Sequence, residues 1–122
     1  MLAHVDLNSQ TLKLVKAVLD GAKESGSETE LVDICTLNIE YCNACGTCFA
    51  KGKCIYEDDF DRLYTKILDS DGLVMGSPNY FHSVTAQMKT MLDRMADTIH
   101  CSFLLASTVA LWRPLEVQRG QR

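Results

Sequence analysis

Apolar residues recur along this chain at helical spacing in three places, with short apolar runs between them. The first stripe is Leu12, Val15, Val18, Leu19 and Ala22, with Lys13, Lys16 and Asp20 on other faces. It predicts a helix that opens at Asn8 or Ser9 and stops at Glu24-Ser-Gly26-Ser. Thr29 to Ile34 then reads as a strand, carried by Leu31, Val32 and Ile34. Phe60, Leu63, Tyr64, Ile67 and Leu68 form a second stripe, preceded by the acidic run Glu57-Asp-Asp59 that suits a helix N-terminus. Gly72-Leu-Val-Met-Gly76 is a short unbroken apolar run, the pattern of a strand buried on both faces. The third stripe is Val84, Met88, Met91, Leu92, Met95 and Ile99, capped by Ser83 or Thr85. A strand stub at Met1 to Val5, another strand over Phe103 to Trp112 and an irregular tail from Arg113 to Arg122 complete the reading.

Strands that alternate with helices imply an α/β fold with a parallel sheet and helices on both faces. Residues 1–112 form one domain on this reading and 113–122 a tail. In such sheets ligands sit outside the carboxyl ends of the strands. Two unusual loops, at 42–54 and 77–83, both follow expected strands, so they are expected to open on one crevice.

The first loop is Cys42-Asn-Ala-Cys45-Gly-Thr-Cys48-Phe-Ala-Lys-Gly-Lys-Cys54, spaced C-x2-C-x2-C-x5-C. Four soft thiolates so close together suit an iron–sulfur cluster or zinc. Three cysteines at intervals of three would crowd one tetrahedral ion, whereas a cubane offers each thiolate its own iron. Gly46 and Gly52 supply the sharp turns that a wrap around a cluster needs. Structural zinc and a pair of disulfides stay open at this point, the latter disfavoured by the lack of any secretion signal. Cys35 and Cys101 have no partner by spacing, and Cys35 is expected to be a small buried residue.

In the second loop, Pro78 and Asn79 give a turn with exposed amides, while Tyr80 and Phe81 give flat apolar surface. A planar cofactor needs that mixture, although the two rings could equally plug the top of the sheet. The methionines of the third stripe are expected in the core. Ser9, Gln10 and Thr11 open a helix whose dipole and free N–H groups suit a phosphate, or simple capping.

Composition narrows the picture. A formal net charge of −4 over 122 residues favours neither nucleic acid nor an anionic membrane surface. The apolar runs are too short to cross a bilayer. Six cysteines, four of them clustered, do not make a disulfide scaffold, so a reducing cytoplasmic setting is expected.

From Leu7 to Ile99 the chain resembles the iron–sulfur flavoprotein branch of the NADPH-dependent FMN reductase-like proteins, in the flavodoxin-like superfamily. The features that carry the resemblance are Asn8-Ser-Gln-Thr11 with Leu12-Lys-Leu-Val15, the four-cysteine motif, and Gly76-Ser-Pro-Asn-Tyr-Phe81 followed by Gln87-Met-Lys89 and Asp93-Arg94. It implies a doubly wound flavodoxin-like sheet. It also implies FMN with its phosphate at Ser9, Gln10 and Thr11 and its ring at Pro78, Asn79, Tyr80 and Phe81, and a 4Fe–4S cluster on Cys42, Cys45, Cys48 and Cys54. The function so implied is electron transfer between flavin and cluster. A zinc-binding module, or an NAD(P)H-dependent flavin reductase without a working cluster, is the alternative. Ferredoxin or NAD(P)H would be the redox partner, no side chain is nominated as a general acid or base, and a homo-oligomer is expected. Neither the family's first strand and Gly-Ser-Pro-Arg-like loop nor its C-terminal strand and helix is recognisable here, so the fold is expected to be incomplete and to bind FMN weakly if at all.

Overall fold

The structure is a computed structural model and describes residues 9–96. Its helices are α1 (Gln10–Glu24), α2 (Thr47–Lys51), α3 (Asp59–Leu68) and α4 (Ala86–Arg94), with a 3-10 turn at Ile34–Thr36.

Each long helix follows from its stripe. In α1, Leu12 and Val15 are buried and pack with Leu19 and with Val74 of the 72–76 run. The helix ends as its sequence requires: Gly26 takes a left-handed φ of 90°, Gly26 N–H donates to Lys23 O and Ser27 N–H to Ala22 O. This satisfies two carbonyls that the last turn leaves free. In α3, Asp58 caps the helix by accepting from Phe60 N–H, and Phe60, Leu63 and Ile67 are buried. In α4, Thr85 accepts from Met88 N–H, and Met88, Met91 and Met95 are the largest fully buried side chains. Burial of each such side chain stabilises the fold by about 1.5–3 kcal/mol. These three methionines join Ile34, Phe60, Leu63 and Ile67 in one core, to which Val32, Leu37, Ile39, Leu73, Met75 and Val84 also pack.

Two expectations change. Neither 29–34 nor 72–76 forms a laddered strand among the described residues; Asp33 and Gly76 are lone bridge positions. The first run ends in a local turn. The Asp33 carboxylate accepts from Cys35 N–H at 3.0 Å, and Thr36 Oγ1 donates to Asp33 O at 2.8 Å. Those bonds bend the chain into the 3-10 turn that ends the run. Cys35 is exposed, not buried. The strand stub at Met1 to Val5, Asn8, Ile99, Cys101, the Phe103–Trp112 strand and the 113–122 tail lie outside the described residues. No helix among the described residues is long and apolar enough to cross a membrane.

Candidate functional site: a thiol loop clamped at its base and an aromatic turn

The cysteine loop is a turn of helix between two reversals. Ala44, Gly46 and Gly52 all have positive φ, at 57°, 71° and 67°. The short helix α2 sits between the two glycines, and Gly52 N–H closes on Cys48 O at 2.8 Å. Glycine takes the left-handed region without a side-chain penalty, which is why the reversals fall where they do. None of Cys42, Cys45, Cys48 and Cys54 is in a disulfide; the first two are exposed and the others half-buried.

Donors gather at the sulfurs. Ala44 N–H approaches Cys42 Sγ at 3.4 Å. The hydroxyl and the backbone N–H of Thr47 hold the Cys45 thiol below its ordinary value. Cys35 goes the other way: loss of solvation and the Asp33 carboxylate push its thiol up. Thiolate character, which metal ligation requires, is thus favoured at Cys45 and disfavoured at Cys35. Among the described residues no three His, Cys, Asp or Glu side chains converge on one point, so the thiols form a set spread along the loop.

The base of this loop is closed by a network that the sequence reading did not single out. Asn38 and Glu40 run beside Asp58 and Asp59. Asn38 N–H donates to Asp59 Oδ2 at 2.9 Å, Asp59 N–H to Asn38 O at 3.2 Å, and Glu40 N–H to Asp58 Oδ2 at 2.8 Å. Arg94 of α4 seals it. Its Nη1 donates to Glu40 O at 2.9 Å and to Asp58 Oδ2 at 2.8 Å, and its Nη2 to Asp58 Oδ1 at 3.2 Å. The two side chains are 1% and 5% exposed, so this ion pair is buried. Burial pushes the Asp58 carboxyl up, but the bonds from Arg94, Glu40 and Phe60 outweigh it and hold the group below the usual carboxylate range. One signal was available in the sequence: Arg94 is a charged residue beside the most apolar face of the best helical stripe.

The second loop is a tight turn. Tyr80 N–H donates to Ser83 O at 2.9 Å and Ser83 N–H to Tyr80 O at 3.1 Å. The central residues Phe81 and His82 both sit at positive φ, 51° and 61°. Neither is glycine, and each left-handed residue costs about 1–2 kcal/mol. The turn holds Phe81 fully exposed, at 101%, and Tyr80 at 55%. The rings therefore do not plug the top of the core. Ser77 Oγ anchors the loop by accepting from Thr85 N–H at 3.0 Å, at the start of α4.

Segments that flank the two loops meet at one cavity. Ile39 and Tyr41, which lead into Cys42, line one cavity of about 110 Å³ with Ala86 and Gln87, which follow the aromatic turn. A cavity of that size is too small for a flavin ring, which needs a cleft of several hundred Å³. Ser9 stands at the N-cap of α1 without a side-chain capping bond, Gln10 is exposed and Thr11 half-buried. Packing ties α1 to Val74, three residues before Ser77.

A family model described as NADPH-dependent FMN reductase matches residues 3–111. An iron–sulfur flavoprotein of Archaeoglobus fulgidus is 47% identical over 83 residues, covering 68% of this chain and 38% of the relative. One of Methanocaldococcus jannaschii is 38% identical over 84 residues, covering 69% and 44%. One of Methanosarcina thermophila is 35% identical over 97 residues, covering 80% and 51%. The chain thus spans about half, or less, of the length of these relatives.

Proposed function

Because the chain belongs to the NADPH-dependent FMN reductase family, we propose that it carries the cofactor sites of an electron-transfer flavoprotein with FMN and a 4Fe–4S cluster. The observation that supports this best is the thiol loop, with four cysteines outside any disulfide, left-handed hinges at Gly46 and Gly52, and N–H or O–H donors at the sulfurs of Cys42 and Cys45. The donor set is soft, and the hydrogen bonds at Cys45 favour its thiolate, as cluster ligation requires.

Cys42, Cys45, Cys48 and Cys54 would hold the cluster. Tyr80 and Phe81 would lie against the flavin ring, with Pro78 and Asn79 at its rim, and Ser9, Gln10 and Thr11 would take its phosphate at the open start of α1. A flavin exchanges electrons in pairs or singly and a cluster singly, so the two together convert one kind of transfer into the other. The chain's own residues supply position and field: the glycine hinges shape the loop, the strained 80–83 turn presents aromatic surface, and buried hydrogen bonds fix the loop's base. In this reading 29–34 and 72–76 belong to the family's doubly wound parallel sheet.

Anaerobic reconstitution with iron, sulfide and FMN tests the proposal. The expected product is brown-yellow, with about four irons and matching acid-labile sulfide per chain. A colourless protein with stoichiometric zinc would replace it with a metal-binding module. A yellow, iron-free protein would leave a flavin reductase.

A further inference from the structure

Phe81 and His82 fill the two central positions of a two-residue turn, both left-handed at φ 51° and 61°. A turn of that kind favours asparagine and glycine, which take positive φ at little cost. Phenylalanine and histidine do not, and such residues persist only where the surrounding structure over-determines them, often at ligand clamps. The Phe81 ring is 101% exposed, so no packing within the described residues holds it outward. The two bonds between Tyr80 and Ser83 close the tip of the turn. They fix its shape but not its placement on the molecule.

Placement falls to Ser77. Its hydroxyl donates to Pro78 O at 3.0 Å and accepts from Thr85 N–H at 3.0 Å. A serine hydroxyl has one donor and two acceptor sites, so it makes both bonds at once. Pro78 O and Thr85 N–H stand at the two ends of the loop, and one oxygen ties them together. Thr85 is itself held fast: it is 3% exposed and caps α4 by accepting from Met88 N–H, and Met88 and Met91 are fully buried. The Ser77 hydroxyl therefore joins the aromatic tip to the most deeply packed helix. We propose that Ser77 is a positioning residue for the flavin ring: its hydroxyl holds the 78–84 loop in the form that turns Phe81 and Tyr80 outward, as the face on which the ring would lie. The inference rests on the function proposed above. Ser77 acts here through the loop and not by touching the flavin, because a loop that is already ordered loses less freedom when its ligand arrives.

The test uses the full 122-residue protein as wild type, Ser77→Ala and Ser77→Thr. Two quantities are read. One is the rate of chymotryptic cleavage at Tyr80 and Phe81 under native conditions without flavin, followed by mass spectrometry. The other is the FMN dissociation constant from fluorescence titration. Cleavage needs the loop to open locally, so Ser77→Ala should be cut there several-fold faster than wild type. It should also bind FMN about tenfold more weakly, the scale set by two lost neutral hydrogen bonds. Ser77→Thr keeps the hydroxyl and should match wild type in both. Ser77→Ala cut at the wild-type rate overturns the proposal, even if FMN binding weakens, since the hydroxyl would then act on the ligand directly. Faster cleavage with unchanged FMN affinity also overturns it, by confining Ser77 to the fold, and so does a Ser77→Thr protein that loses as much as Ser77→Ala. If Ser77→Ala does not fold by circular dichroism, Ser77→Cys replaces it, being of similar size but a weak hydrogen-bonding partner; wild-type values there overturn the proposal and a loss in both supports it. A wild type that binds no FMN brings down the proposed flavin site and this inference together, whereas a wild type that binds beside unmoved variants brings down this inference alone.

Discussion

Replacing Asp58 by Asn isolates the ion pair from everything else in the site. The Asp58 carboxylate accepts four hydrogen bonds: two from Arg94, and one each from the backbone N–H groups of Glu40 and Phe60. Asparagine has one acceptor oxygen, and its NH2 would face a donor at the other position. Arg94, at 1% exposure, would be left as an uncompensated buried charge. Removing one partner of such a pair costs about 3–5 kcal/mol. Against a total of about 5–15 kcal/mol for an ordinary domain, that is a large share. Urea unfolding followed by circular dichroism at pH 7 measures it, with the slope m compared to confirm that the same surface unfolds. The pH dependence gives a second reading. The Asp58 pKa is depressed in the folded state. Its stabilisation is therefore complete above the unfolded carboxylate value of about 3.9 and lost as pH falls through the lower folded value. Wild type should lose more stability than Asp58→Asn on acidification below about pH 4. A loss under about 1 kcal/mol at pH 7, where a buried pair predicts several, would refute the reasoning. So would equal acid sensitivity of the two proteins.

Other outcomes follow from the same structure. Met91→Ala opens a cavity at a 0%-exposed position and should cost about 2–5 kcal/mol in chemical unfolding. Phe81→Ala removes a fully exposed ring and should leave unfolding unchanged, while weakening FMN binding by the value of one stacking contact, about 0.5–1.5 kcal/mol, read by fluorescence titration. Gly52→Ala places a side chain at φ 67° where nothing lies within 4 Å, so its cost of about 1–2 kcal/mol is backbone strain alone, read as a lower urea midpoint. Cys45→Ser should abolish iron uptake in anaerobic reconstitution while Cys35→Ser retains it, since only the first thiol is held toward its thiolate.

Helices were legible because their evidence is local. The stripes at 12–22, 60–68 and 84–95 announce which face is buried, Val18 and Leu68 excepted, which stay exposed, and caps such as Thr85 and Asp58 lie beside the bonds they make. The four-cysteine spacing was legible for the same reason: thirteen residues contain the whole donor set and both hinge glycines. The strands were harder. An apolar run states a tendency, but a ladder needs a neighbour, and among the described residues 29–34 shows only a lone bridge position at Asp33. Exposure of Phe81 and Tyr80 was likewise undecidable from composition, since the same rings could fill a core; a left-handed turn closed by Tyr80 and Ser83 turned them outward.

Arg94 marks the boundary between the two kinds of knowledge. In the chain it is one basic residue at the end of a helix, 36 positions from Asp58 and 54 from Glu40. Its meaning depends on three segments meeting, because a charge takes its role from whatever replaces water around it. Sequence alone determined the thiol set, the helical faces and the glycine hinges, all of which act within a few residues. Tertiary structure alone decided that a buried cation would grip both ends of the sulfur loop, since no local pattern encodes which distant carboxylate a guanidinium will find.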